Sequence, residues 1–581
     1  MPRATGFCSP FRGDRSLNAF GCSILVVFLL CGSLATPAQT VQPQPPSEEQ
    51  LQKLAGAQQW QDLVQLLEPV SSRSATIDFY LGIALAQAGR VSEAQAALEA
   101  GSHLAPADPR FLVELAGIAF KQKNYPQTTH YLRRALQFAP NDTYTNDFLG
   151  TSYFLEGNLE ASLKYWNRVG KPVIAEVHAD PAPRVEPALL DQAFAFAPAA
   201  TLTLPQLLDS GARLRGLGIF PQFHIDLVAR SDSKFDLSFR ARELNGFGDT
   251  RLEKFFLLLR GLPFQQVEPQ FYNLHGHAIN FSSMVRWDAQ KRRIFADLSG
   301  PFEHSAKYRW HLAADLRNEN WSIRNGFTGP APVLASFNMR HESLAFDLAS
   351  YAGERFGWSA GAEISRRNFQ AVASGAVLTP QILASGYQLR QQARWAGTIF
   401  RNPDRRFTIS AGARSDAARL WSQGPQSFEK LTASLAWHWF PQAQGDDYET
   451  SQQLRAGKTF GQTPFDELYI LGLERDNDLP LRAHIGTRDG RKGSAPLGRN
   501  YLLENWEFSK NLYSNGILKV RLGPFFDIGK ITDPGTTLGS PHWLFDTGAQ
   551  ARLRVFGSGL IFTYGKDLRT GNNAFYLSLI E

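Results

Sequence analysis

A chain of 581 residues with 43% apolar and 20% charged side chains is long enough for several domains and too apolar to stay disordered. Its 60 Lys and Arg against 54 Asp and Glu leave a net charge of only +6, spread along the chain rather than gathered into a patch. That excludes a nucleic-acid footprint, and no nucleic acid is expected as a partner. The first element, residues 1–38, reads as an export signal: Arg3, Arg12 and Arg15 precede the apolar run "SILVVFLLCGSLA", and small Ser33 and Ala35 stand where a signal peptidase would cut. The run is too short for a membrane-spanning helix. Cys8, Cys22 and Cys31 all lie in or before it, so an exported chain would carry no thiol for a disulfide, a metal site or a nucleophile.

A Pro/Gln-rich linker, residues 39–47, leads into a helical region at 48–170 with an internal period. The segment "FYLGIALAQAGRVSEAQAALEAGSHLAP" is followed by "VELAGIAFKQKNYPQTTHYLRRALQFAP" and "FLGTSYFLEGNLEASLKYWNRVG", at a spacing of about 34 residues. Leu81, Leu115 and Leu149 share one position, Gly82, Ala116 and Gly150 the next, and Leu98, Leu132 and Trp166 a third, while Pro106 and Pro140 close the first two units. Small residues let paired helices approach and large ones fill the space between them. This region resembles tetratricopeptide repeats, which implies a groove for a peptide or partner protein; a spacer role is the alternative.

Residues 171–245 change pattern: a short strand at "KPVIAEVHAD", one or two helices in "VEPALLDQAF" and "LPQLLDSGARLRGLGIF", then alternating strands at "FHIDLVAR" and "FDLSFRARE". This order, with Gly216, Gly218 and Phe220 turning into the second strand, resembles a POTRA domain, a periplasmic module found beside outer-membrane insertase barrels.

Residues 246–581 are short alternating segments separated by turn residues. In "YQLRQQARW", Tyr387, Leu389, Ala393 and Trp395 face one way, with Gln388, Arg390, Gln392 and Arg394 opposite; "LTASLAWHW" alternates likewise. Such alternation suits a soluble sandwich or a membrane barrel. An exported chain without an internal apolar run can span a bilayer only as a closed barrel, and Trp287, Trp310, Trp437, Trp439 and Tyr564 fall near strand ends, as interfacial girdles do. The predicted fold is therefore a tetratricopeptide solenoid, a small α+β POTRA-like domain and a transmembrane antiparallel barrel of about sixteen strands.

The basic stretch "LPLRAHIGTRDGRKGSAPLGRN" (479–500) lacks the glycine spacing and Lys-Ser/Thr pair of a phosphate loop, and no helix follows it. It stands between "FDELYILGLE" and the strand "YLLENWEFSKNL", with "LKVRLGPFFDIGKI" next. This arrangement resembles the C-terminal half of the BamA/TamA-type superfamily of outer-membrane insertases and two-partner-secretion transporters. In that superfamily a surface loop carrying a hydrophobic-Arg-Gly-aromatic motif folds back into the barrel onto an acidic wall motif. The resemblance assigns the loop motif to Leu481, Arg482, Ala483 and His484, with Ala and His in place of Gly and the aromatic. It assigns the wall motif to Phe525, Phe526, Asp527, Ile528 and Gly529, and the acidic residue of the preceding strand to Glu507. A carboxylate facing a lumen is costly unless a counter-charge reaches it, and an Arg offers two parallel hydrogen bonds, so contact of Arg482 with Asp527 is expected. The final segment, with Phe575, Leu577 and Leu579 alternating, resembles the C-terminal strand signal of barrel proteins.

His275 and His277 in "LHGHAIN" are placed on one face of a strand, but no third ligand is evident and no metal is expected. No hydrolase motif stands out, so neither catalysis nor a cofactor is expected. The resemblance implies an outer-membrane location with the N-terminal domains in the periplasm. It implies as partners outer-membrane lipid, unfolded outer-membrane or secreted proteins, and periplasmic accessory proteins at the repeats; the activity would be assembly or translocation of those clients. The alternative is an exopolysaccharide-export porin with a helical-repeat periplasmic domain, which would have no plugging loop.

Overall fold

The computed structural model describes residues 46–580 apart from 248–253, 256, 258, 325–330, 375–377, 423, 443–444, 516–517, 534–537 and 556–557. The export-signal reading and most of the linker lie outside the described residues. Of the described residues, 46–59 form a unit of their own, whose helix Glu48–Gly56 is capped by the Ser47 hydroxyl accepting from the Gln50 N–H at 3.3 Å.

From Trp60 onward the chain is a second unit that opens with seven helices, Trp60–Leu67, Ala75–Gln87, Val91–Leu104, Pro109–Lys121, Tyr125–Phe138, Thr143–Leu155 and Leu159–Trp166. Their starts are written in the sequence, since Ser74, Asp108, Asn124, Asp142 and Asn158 each accept a backbone N–H at a helix N-terminus. The periodic positions meet across the hairpins. A Cβ on Gly82 would stand 2.5 Å from Leu98, and one on Gly150 would stand 2.3 Å from Trp166. Ala116 and Leu132 are fully buried in the intervening unit.

A three-stranded sheet follows, made of Ile174–Ala179, Gln222–Ala229 and Phe235–Arg242. The last strand lies between the other two, parallel to the first and antiparallel to the second. Two helices, Pro187–Ala193 and Leu204–Gly216, cover it, the second started by a Thr203/Gln206 capping box. Ile174, Leu202, Leu214, Leu237 and Phe239 make its core.

The rest is one large antiparallel sheet whose strand order closes into a barrel. Its long strands are Ile279–Arg286, Lys291–Phe302, Ser305–Arg324, Val333–Ser350, Gly357–Ser374, Gly386–Asn402, Phe407–Trp421, Pro425–Trp439, Tyr448–Gly461, Asn500–Ser514, Leu518–Thr532, Leu544–Val555, Ser558–Asp567 and Asn573–Ile580. Eighteen strand segments share the order among the described residues, against the sixteen or so expected. Two of them, Thr487–Arg488 and Arg491–Lys492, are two-residue pieces of a long loop, and two more, Gln266–Val267 and Gln270–Leu274, are halves of a strand interrupted at Glu268 and Pro269. Proline has no N–H to give a ladder.

Burial in this sheet is inverted relative to a soluble sandwich. Ile364, Tyr387 and Leu344 are 62%, 58% and 55% exposed, whereas Arg367, Gln388 and Glu319 are each 1% exposed. Phe575 likewise faces outward and Ala574 inward. No described helix is long and apolar enough to cross a membrane.

The sequence places His275 and His277 on a strand face, and the structure corrects this: both sit in the turn between Leu274 and Ile279, His275 with a left-handed φ of 56°. The intervening Gly276 permits the turn to lie against the small domain, where the Gly276 carbonyl accepts from Glu186 N at 2.7 Å and His277 Nδ1 lies 3.0 Å from Glu186 Oε2.

The same end of the barrel holds the helical and three-stranded parts of this second unit. The Arg309 guanidinium donates to the Leu217 carbonyl at 2.9 Å and to Ser299 Oγ at 2.9 Å. Asn158 Nδ2 donates to the Pro403 carbonyl at 2.9 Å, Arg401 pairs with Glu160 at 2.9 Å, and Lys164 pairs with Asp404.

Candidate functional site

Residues 462–499 connect Tyr448–Gly461 to Asn500–Ser514 at the barrel end opposite the N-terminal domains, yet those two strands are direct neighbours. The excursion is thus an insertion between two paired strands, and it turns into the lumen, where Lys492 pairs with Trp321 of the wall. Leu471, Leu479 and Leu481 are buried with Tyr469, Tyr501, Leu503, Ile531 and Leu544. Phe465 packs edge-on against Trp321 and Phe337, with ring centroids 5.1 and 4.9 Å apart.

At the loop tip Arg482 is 2% exposed and Asp527 is fully buried. The guanidinium donates through Nε at 2.9 Å to Asp527 Oδ2 and through Nη2 at 2.5 Å to Oδ1, while the Arg482 backbone N–H reaches Oδ2 at 3.0 Å. Nη1 donates to Glu507, Nη2 also donates to the Trp506 carbonyl at 3.3 Å, and the guanidinium lies 3.9 Å over the Phe525 ring. Burial works against the Arg482 charge, but its bonds to Asp527 and Glu507 outweigh that and hold the group above its ordinary range. The wall motif thus supplies an anion in Asp527, a platform in Phe525 and clearance in Gly529, where a Cβ would stand 3.2 Å from Leu481 Cδ1.

The loop's departures from the resembled motif are accommodated. Left-handed backbone falls at Asp476, Asp489, Gly490 and Gly493, not at Ala483, so a Cβ there meets no conformational barrier. His484 adds a second contact, with Nδ1 3.0 Å from Asp546 Oδ2, an oxygen that also accepts from the Ala483 N–H at 2.6 Å. The sequence reading did not single out Asp546, although "FDTG" at 545–548 repeats the "FDIG" of 526–529 one strand later. Asn505, which donates to Asp527 Oδ1 at 2.7 Å, went unremarked beside Glu507.

Two further anchors hold the same loop to other sides of the barrel. Asp476 accepts from Arg286 at 2.8 Å and from Arg293 at 2.5 Å, and Lys291 reaches Glu474 at 3.3 Å. Glu467 gathers Arg367, Arg390 and Lys430, each at 3.4 or 3.3 Å, and accepts from Gln388 at 3.1 Å. A cavity of about 540 Å³, lined by Asp315, Arg317, Glu363, Arg414 and Asp416 among others, remains in the lumen beside these anchors.

Asp476 makes one anchor acid-sensitive. Burial opposes its charge, but Lys492, Arg293 and Arg286 more than offset this and hold its carboxyl well below the usual range. A depressed carboxyl contributes its stabilisation in full above the unfolded value, about 3.9, and loses it as pH falls through the folded one. Protease cutting within 462–499 is therefore expected to be flat from neutral pH to about pH 4 and to rise below it. Asp476→Asn removes that anchor's acid response and raises cutting at neutral pH.

No family model matches the chain, and no curated protein matches it. Among solved structures it is similar to a BamA from Haemophilus ducreyi lacking POTRA domains 1–3, at 10% identity over 70% of this chain and 84% of that one, with a TM-score of 0.40. It is also similar to CdiB from Escherichia coli, at 13% identity over 71% of this chain and 75% of that one, with a TM-score of 0.45. A MamA protein matches 21% of this chain and 70% of its own length at 16% identity, with a TM-score of 0.20.

Proposed function

We propose that this chain is an outer-membrane barrel of the BamA/TamA type that assembles or translocates unfolded protein clients, with its helical repeats and POTRA-like domain in the periplasm. The observation that carries the reading is the burial of Arg482, donated by a loop from the far rim, against Asp527 and Glu507 inside the barrel. The inverted faces support the membrane setting: apolar side chains around the outside and a charged lumen suit a bilayer, where an edgeless sheet satisfies every backbone group.

The domain arrangement fits client handling. An exposed strand edge on the three-stranded sheet would pair with an extended client by strand addition. The repeats, tied to the same barrel rim through Asn158, Glu160 and Lys164, would hold a client or accessory protein close by and raise its local concentration. The free energy would come from client folding and partition, with no cofactor and no catalysis by the chain itself. The exporter alternative requires an open conduit, whereas the loop anchored on three sides of the lumen argues against one.

The test is crosslinking from positions along the repeat helices in cells, followed by identification of captured proteins. Exported, unfolded barrel or secreted proteins among them are expected, with their maturation slowed when the chain is depleted. Capture of polysaccharide-synthesis components, with normal client maturation, would overturn the reading.

A further inference from the structure

Asp527 stands opposite Asp546 in the register of their two strands, and Asp546 opposite Asp567 in the next pair. All three are buried to within 1%. Like charges directly opposite one another on a sheet are destabilising, and a buried carboxylate is stable only when paired or bound to a cation. Arg482 answers the first member of the row.

For Asp546, Oδ2 takes the Ala483 N–H and faces His484 Nδ1, while Oδ1 is buried without a hydrogen-bond partner among the described residues. Asp567 accepts from Arg569 N at 2.9 Å and from Thr570 Oγ1 at 2.6 Å, and its Oδ2 lies 4.0 Å from His484 Nε2, beyond hydrogen bonding. His484, Asp546 and Asp567 each bring a possible ligand atom within 4.8 Å of the others. His484 is itself 1% exposed, so the group is enclosed.

We propose that His484, Asp546 and Asp567 bind a divalent transition-metal cation of the zinc class, and that this ion locks the loop tip beside the Arg482 contact. One imidazole with two carboxylates suits zinc or manganese better than calcium, which takes six to eight oxygens. A tetrahedral zinc ion holds its ligand atoms about 3.3 Å apart, so modest side-chain rotation closes the present spacing. The ion would take up Asp546 Oδ1, which is buried without a hydrogen-bond partner among the described residues. The site depends on where the loop lies and not on which client the barrel serves.

The test uses untagged full-length protein in detergent, stripped with a chelator and dialysed against Zn²⁺, Mn²⁺ or Mg²⁺, with bound metal counted by elemental analysis. One zinc per chain is expected in the wild type and none in His484→Phe or Asp546→Asn, with Mg²⁺ failing to compete. Heat-modifiable gel mobility verifies that each variant is folded, and His484→Phe leaves Arg482 and Asp527 themselves unaltered. Zinc removal is expected to raise cutting of the wild-type loop about tenfold and to leave His484→Phe unchanged. Binding that is absent, or equal in wild type and both variants, would overturn the site. So would loop protection in the wild type that zinc removal leaves unchanged.

Discussion

Arg482→Ala is expected to release the loop and cost about 3–5 kcal/mol, because it leaves a fully buried carboxylate at Asp527 without its cation. Asn505 and the backbone N–H of position 482 still reach the carboxylate, but neither carries charge. The readouts are protease cutting within 462–499 and client maturation, both expected to change strongly. Arg482→Lys should recover only part of the loss, because a point charge cannot reproduce the fork that engages Asp527 and Glu507 together, nor the flat contact over Phe525. Asp527→Asn is expected to be milder than Arg482→Ala, since it keeps an acceptor and leaves Arg482 with Glu507. Wild-type loop protection in Arg482→Ala would remove the residue-level support for the proposed function.

The second large effect tests the surroundings of the barrel. Ile364 points away from the lumen near the middle of Gly357–Ser374, flanked by Leu344 and Leu389 on the neighbouring strands. On a water-facing surface Ile364→Arg would change stability little. In a bilayer it places a charge in hydrocarbon, and a loss of about 2–4 kcal/mol is expected. Unfolding by urea in lipid vesicles measures it, and a change below about 0.5 kcal/mol would mean that this face meets water.

Much of this was visible in the chain because the physics was local. The Gly82, Ala116 and Gly150 series is a steric statement, and the structure meets it with Leu98, Leu132 and Trp166 across each hairpin. Alternation in "YQLRQQARW" separates a face ending up outside from one ending up inside, although periodicity alone does not say which is which. The pair Arg482 and Asp527 could be named because each sits in a recognisable motif.

What stayed hidden was pairing between ordinary-looking charges far apart in sequence. Nothing in the local sequence sets Glu467 and Asp476 apart from other loop acids, or Arg367, Arg390, Arg286 and Arg293 from other charged residues of the alternating segments. Only the closed sheet brings them within ion-pair reach. His484 read as a departure from the motif, and its partners Asp546 and Asp567 sit on two later strands. The His275/His277 error has a different source: a Gly between them turns the backbone, so period-two logic stops there.

Buried placement of the loop tip is most directly measured by thiol accessibility. With Cys8, Cys22 and Cys31 replaced, a single cysteine at Ala483, which is 3% exposed, is compared with one at Asp489, whose side chain is 83% exposed, using a membrane-impermeant reagent on intact cells. The position 489 thiol should label readily and the position 483 thiol should not, until Arg482→Ala is added and both label. Equal labelling of the two positions in the Arg482 background would contradict a loop held inside the barrel.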